Sequence, residues 1–197
     1  NNKGRAIIYK SNLDSWNIEM KNLNNDKVES PNLNYKNLTG CLTIIDSYFK
    51  DIEIYAQNLL CEDSINFIRS RGNIKKVSIT DSLSDGLDAD FSKINFEEIY
   101  VDKTGNDCAD FSFGNYKINN AELTNCGDKA LSVGEKSFVQ LDTIFVENSK
   151  IGVASKDSSI TKLKNAYLKN TKTCISAYKK KQEFNGGLIE INNIKCQ

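Results

Sequence analysis

Apolar residues return along this chain about every 22 residues, from near Ile52 to near the C-terminus. Ile65, Leu87, Ala109, Leu131, Val153 and Ile175 form one column at that step. Ile74, Phe96, Ile118, Leu141 and Leu163 form a second, with one residue inserted before Leu141. Two more columns run Val77, Ile99, Ala121, Ile144, Ala166 and Ile79, Val101, Leu123, Val146, Leu168. A fixed period of this length is the mark of a solenoid, in which each repeat packs only on its neighbours.

Within a repeat the apolar residues alternate over three to five positions, as in Ile94-Asn95-Phe96 and Ile99-Tyr100-Val101. Polar turns rich in Gly, Asn, Asp and Ser separate these runs, which is a strand and turn pattern. No segment carries a sustained 3.6-residue stripe, and the lone proline, Pro31, lies outside the repeat. Three short strands per turn, stacked in register, describe an all-β parallel β-helix of about six to seven coils, roughly 30 Å long at about 4.8 Å per coil. A turn column agrees: Asn58, Asp81, Lys103, Asn125, Asn148 and Asn170 recur at the same step. Asparagine tolerates left-handed backbone and bonds to its like along a stack. Ser82, Thr104, Cys126, Ser149 and Thr171 fill the next column.

Coil length, column chemistry and asparagine ladder together resemble the right-handed parallel β-helix superfamily of pectate lyases, polygalacturonases, uronan epimerases and phage tailspikes. The resemblance covers residues 52–191 well and 1–51 loosely. It implies a right-handed solenoid that binds or cleaves polysaccharide. The chain departs from some members by having no histidine. A polygalacturonase-like site and the histidine-bearing epimerase motif are therefore missing, although Asp85-Gly86-Leu87-Asp88 stands where such a motif would lie.

Residues 1–51 read as an irregular N-terminal segment and first coil, and 52–197 as the solenoid. Trp16, Ile18 and Met20 alternate as a strand, and a polar stretch follows from Asn22 to Gly40. This segment is expected to cap the exposed strand edge at the end of the stack. Asn37-Leu38-Thr39 is a glycosylation sequon, a triplet common by chance in an asparagine-rich chain.

Lysine plus arginine and aspartate plus glutamate number 26 each, which favours neither nucleic acid nor an anionic surface as partner. No apolar run approaches the 18 or so residues of a membrane span, and no signal-peptide pattern opens the chain. Starting at Asn1-Asn2 without methionine, it is expected to be a processed or excised piece, secreted, envelope-associated or part of a larger chain. The six cysteines include no close pair, which argues against a zinc site. They read as buried thiols or as disulfides of an oxidising compartment. Cys174 and Cys196, one repeat apart, are the pair best placed to face each other.

If Leu87, Ala89 and Phe91 point inward, Asp88 and Asp90 point outward. One coil later Asp110 and Ser112 do the same, and Phe91, Phe111 and Phe113 read as stacked core. Asp63, Asp85 and Asp107 form a second acidic column, which Lys129 continues, while Lys156 continues the Asp90 column. Stacked like charges repel, so these columns need compensation. Calcium held by Asp63, Asp85 and Asp107 would supply it. So would backbone N–H groups bonded to turn carboxylates, or a raised pKa that leaves one carboxyl protonated.

Two reaction classes fit. Asp88, Asp90 and Asp110 suit paired-carboxyl glycoside hydrolysis. Alternatively, calcium with Lys156 or Arg69 suits β-elimination from a uronan. Tyr178 would stack on sugar, and Lys180, within Lys179-Lys180-Lys181, would grip an anionic glycan. The loop ending at Gly186-Gly187 would wall a groove. With no histidine to activate a serine, a triad is excluded. The expectation is a carbohydrate-active or carbohydrate-binding domain with a polysaccharide partner. The rival is a non-catalytic adhesive or assembly module.

Overall fold

The computed structural model describes residues 4–23 and 38–197. Asn37 of the sequon and most of the polar stretch after Asn22 lie outside them. The described chain is built of strands: β1 (Ala6–Tyr9), β2 (Asn12–Asp14), β3 (Asn17–Lys21), β4 (Gly40–Ile45), β5 (Tyr48–Leu59), β6 (Asp63–Ile68), β7 (Arg71–Ser82) and β8 (Asp85–Asp90). Then come β9 (Lys93–Thr104), β10 (Ala109–Ser112), β11 (Asn115–Cys126), β12 (Lys129–Gly134), β13 (Phe138–Lys156), β14 (Ile160–Tyr178) and β15 (Leu188–Cys196).

Every pairing is parallel, and partners are one repeat apart, giving a β-solenoid of about six turns with about 22-residue spacing. Short strands β4, β6, β8, β10 and β12 stack on one side. The 12-residue strands β5, β7, β9 and β11 stack beside them and bend midway. Pairing skips Lys75 and Glu97, then Asn119, Asp142 and Lys164, which stand at that bend. Strands β13 and β14 run through all these faces without a break. The stack begins early, for β1 pairs with β4, and β2 and β3 pair with β5.

All four apolar columns read from the sequence pair rung on rung. Their side chains fill one continuous core, and removing that apolar surface from water is what chiefly favours the fold. An aromatic spine runs through it: Phe49, Phe67, Phe96, Phe111 and Tyr116 meet in succession at centroid distances of 5.5, 6.3, 5.9 and 4.6 Å.

Two left-handed columns turn the corners. The first is the asparagine column, with φ between 52° and 64° from Asn58 to Asn170. In it Asn148 donates to Asn125 at 2.8 Å and Asn170 to Asn148 at 2.5 Å, while Lys103 pairs with Asp81. The second holds Asp46, Arg69, Phe91, Phe113, Glu135 and Asp157, all at positive φ. Each is followed by a ladder position: Ser47, Ser70, Ser92, Gly114, and, after Lys136 and Ser158, Ser137 and Ser159. The ladder serines are buried. Ser47 N–H donates to Ser70 Oγ at 3.2 Å and Ser70 N–H to Ser92 Oγ at 3.0 Å. The Ser70, Ser137 and Ser159 hydroxyls donate to Ile44, Phe111 and Val133 carbonyls of the previous coil's short strand, and those of Ser47 and Ser92 to Ile45 and Asp90 of their own coil. Buried turn amides are thereby satisfied without water.

All six cysteines are cross-linked, as Cys41–Cys61, Cys108–Cys126 and Cys174–Cys196. The first two tie residues around one turn, and the third joins neighbouring coils as its spacing suggests. Among the described residues no helix is long and apolar enough to cross a membrane.

Candidate functional site

The outer surface of the short-strand sheet gathers the candidate residues. Alternation sends Ile65, Leu87 and Ala109 inward, so Asn66, Asp88, Asp110 and Ser132 follow one another on adjacent rungs outside. Two residues along, Asp90, Ser112 and Gly134 form the parallel column. Asp88 and Asp110 are direct ladder neighbours, so their backbones lie about 4.8 Å apart.

Lys156 reaches this pair from β13. Its chain lies over Gly134, where an added Cβ would sit 2.8 Å from Lys156 Cε, so a larger residue would make the lysine shift. The ammonium donates to Ser132 Oγ at 2.7 Å and stands 3.5 Å from Asp110 Oδ2, with the residue 4 % exposed. On the other side of Asp88, Asn66 Nδ2 donates to Asp88 Oδ2 at 2.7 Å and to Asp63 Oδ2 at 3.2 Å. Asn66 Oδ1 and Asp110 Oδ1 are buried without a hydrogen-bond partner.

The second acidic column has a different use. Asp85 Oδ1 accepts the Asp107 N–H at 2.8 Å and the Asn106 amide at 2.7 Å. Asp107 Oδ1 accepts the Lys129 N–H at 3.0 Å and its ammonium at 3.1 Å. These two are turn carboxylates bonded to the next coil. Among the described residues no three Cys, Asp or Glu side chains converge to hold a metal ion.

The remaining candidates scatter. Arg69 is turned to Asp46, with bonds of 2.8 and 3.1 Å. Tyr178 is ladder neighbour to Lys156 at the end of β14. Lys180 donates its backbone N–H to the buried Asp157 carboxylate at 2.7 Å, as does Lys181. It is Lys181 whose ammonium reaches inward, to Glu135 at 2.6 Å, and Glu135 in turn accepts from Ser112 at 2.5 Å.

Phe91 and Phe113 correct the sequence reading. They lie outside the core, 55 % and 40 % exposed, with rings parallel within 5° and centroids 4.6 Å apart. Phe184 meets Phe113 edge-on at 6.2 Å. Alternation fails here because both residues are left-handed, with φ of 52° and 51°, so each opens a corner and does not continue its strand. Bulky side chains rarely adopt that conformation. Only Phe111 of the three is core. The serine column was the overlooked signal: residues just before it belong to the corner.

Burial pushes the Asp85 carboxyl up to about 7 and those of Asp63 and Asp90 to about 6. Asp88 is driven well above the carboxylate range by burial, reinforced by Asp63, Asp90 and Asp110. Asp110 is raised by burial too, but the Lys156 charge opposes that rise. Glu135 goes the other way: burial works to raise it, but the Lys181 and Ser112 hydrogen bonds hold it low. One carboxyl whose charged neighbours are all acidic thus adjoins another beside a buried cation. Such division is how paired carboxyls take acid and base roles.

Comparison with known proteins found no matching family model, no similar curated protein and no similar solved structure.

Proposed function

We propose that this solenoid cleaves a polysaccharide by general acid–base catalysis, with Asp88 as the acid and Asp110 as the base or nucleophile. The observation that carries the reading is the unequal environment of these ladder neighbours. Burial and acidic neighbours favour the protonated form of Asp88, the form that gives a proton to the glycosidic oxygen, while the Lys156 charge opposes that shift at Asp110 and favours its carboxylate. Their backbones lie on adjacent rungs about 4.8 Å apart, a spacing compatible with the close carboxyl pair of a retaining reaction. Asp90 raises the Asp88 pKa, and Phe91 and Phe113 offer sugar an apolar surface beside the carboxyls.

Hydrolysis fits better than β-elimination. Asp85 Oδ1 accepts amides of the next coil, Asp107 holds the Lys129 amide and ammonium, Lys156 is bound to Asp110 and Ser132, and Arg69 is paired with Asp46. The column pattern supports kinship with right-handed β-helices of pectate-lyase type, and three disulfides support an oxidising compartment.

One observation favours the non-catalytic module: Asp85 and Asp107 are acidic for turn construction alone. A polysaccharide panel, neutral, amine-bearing and uronate-rich, separates the readings when followed for reducing ends and unsaturated uronide. Reducing ends without unsaturated product, lost in Asp88→Asn and Asp110→Asn of unchanged fold, is the result expected. No product from any polymer supports the module, and full turnover in both variants overturns the assignment.

A further inference from the structure

We propose that the acidic part of this face binds a protonated amino sugar, the ammonium seated next to Asp88 on Asp63, Asp90 and the Asn66 side-chain carbonyl oxygen, and the sugar ring packed on Phe91 and Phe113. This deepens the hydrolase reading and rests on it.

Three cations near the carboxyls are already committed, and Lys136 lies over the Phe184 ring, 5.8 Å from its centroid. Lys129 pairs with Asp107 and Asp128, Lys156 with Asp110, and Lys181 with Glu135. Asp63, Asp85, Asp88 and Asp90 have no ion pair among the described residues. Folding has gathered carboxyls in one corner without their counter-charge, an arrangement that a bound cation relieves.

Asn66 points independently to a ligand that donates hydrogen bonds. It is 1 % exposed, lies between Asp63 and Asp88, and gives its amide N–H groups to both. Its Oδ1 stays without a partner, although a buried acceptor left unpaired is costly. Among Asp63, Asp85, Asp88 and Asp90, the one group this corner lacks is a positively charged donor. A bare metal ion suits it poorly, because the described carboxyls do not converge on a point. An ammonium has three N–H donors that spread over separate acceptors.

The aromatic pair selects the carrier. Phe91 directly follows Asp90 and Phe113 directly follows Ser112, so the rings flank the acidic column at its exposed end. Their left-handed corners hold two large apolar rings partly in solvent, stacked on each other outside the core. A sugar offers an apolar C–H face for the rings and, when it bears a free amine, the cation for the carboxyls.

Calorimetric titration of the intact protein at pH 7 tests this with four probes: a glucosamine oligomer, its fully N-acetylated counterpart, an oligogalacturonate and an oligolysine. The glucosamine oligomer is expected to bind at least about tenfold tighter than the acetylated one, the effect of a single charge-assisted bond. Asp90→Asn should erase that preference, and Phe91→Ala should weaken both sugars alike. Equal binding of amine and acetylated oligomers, weakened by Phe91→Ala, overturns the amine seat and leaves the glycan face standing. A preference for oligogalacturonate does the same. Oligolysine binding without any sugar overturns the sugar assignment, and no binding by any sugar overturns both readings.

Discussion

Asp85 illustrates at residue scale how a solenoid turn alters a carboxyl. Two hydrogen bonds favour its charge, yet burial and the neighbouring Asp107 and Asp63 hold its pKa near 7. A carboxyl raised in the folded state binds its proton more tightly there than in the unfolded chain. Between pH 4 and 7, roughly, the unfolded chain ionises first, so stability falls as pH rises through that window. Asp63, Asp88 and Asp90 act in the same direction. The melting temperature should therefore rise on acidification from pH 7.5 to 5, and Asp85→Asn, which keeps the acceptor, should flatten part of that slope. A melting temperature that drops steadily over the window would contradict this electrostatic account.

At the scale of the element, Gly114 interrupts the serine ladder and Tyr116 repairs it. An added Cβ at Gly114 would lie 2.2 Å from the Tyr116 hydroxyl, which fills the vacant serine position. That hydroxyl donates to the Ala89 carbonyl at 2.7 Å, the acceptor equivalent to Phe111 and Val133 in later coils. Tyr116→Phe should cost about 1–3 kcal/mol by orphaning that carbonyl. Gly114→Ser should also destabilise, through the clash. In urea unfolding, the double variant should recover much of the summed loss, since the two changes are coupled. Simple additivity would show that the hydroxyl and the glycine are unrelated. The asparagine column behaves differently. Asn148→Ala should lose both ladder bonds and strain the left-handed backbone, about 1–2 kcal/mol, whereas Asn148→Gly should lose only the bonds. Equal losses would assign no cost to the backbone.

These elements also mark what was legible in the sequence. Apolar columns and the asparagine corner recur in residue type, so ladder register followed from spacing, as did the neighbouring of Asp88 and Asp110. The second corner escaped notice because its residues share a backbone angle and not a chemistry: Asp46, Arg69, Phe91, Phe113, Glu135 and Asp157. Phe91 and Phe113 were misread for that reason. Glu135 and Asn66 stood in no acidic column, and their roles depend on how far Lys181 and the neighbouring aspartates reach.

At the scale of the whole molecule, disulfides and stacking divide stability unevenly along the rod. Cys41–Cys61 and Cys108–Cys126 close loops of 20 and 18 residues in sequence separation and are buried, each worth about 3 kcal/mol in the chain-entropy description. Cys174–Cys196 holds the terminal strand β15, most of whose residues are exposed. Mild reductant should therefore open Cys174–Cys196 first. Mass spectrometry after thiol labelling should find Cys196 modified before Cys108 or Cys126, with amide exchange rising in β15 alone. Earlier labelling of Cys108 would contradict that order.

The site inherits its rigidity from the central coils, which keep Asp88 and Asp110 on adjacent rungs. The most direct test of their division of labour is to follow the side-chain carboxyl carbons of both by NMR as pH is varied. Asp110 should become a carboxylate at lower pH than Asp88, and Lys156→Met should move Asp110 upward and narrow the gap. Both ionising together in the ordinary carboxylate range, or Asp88 ionising first, would contradict the account.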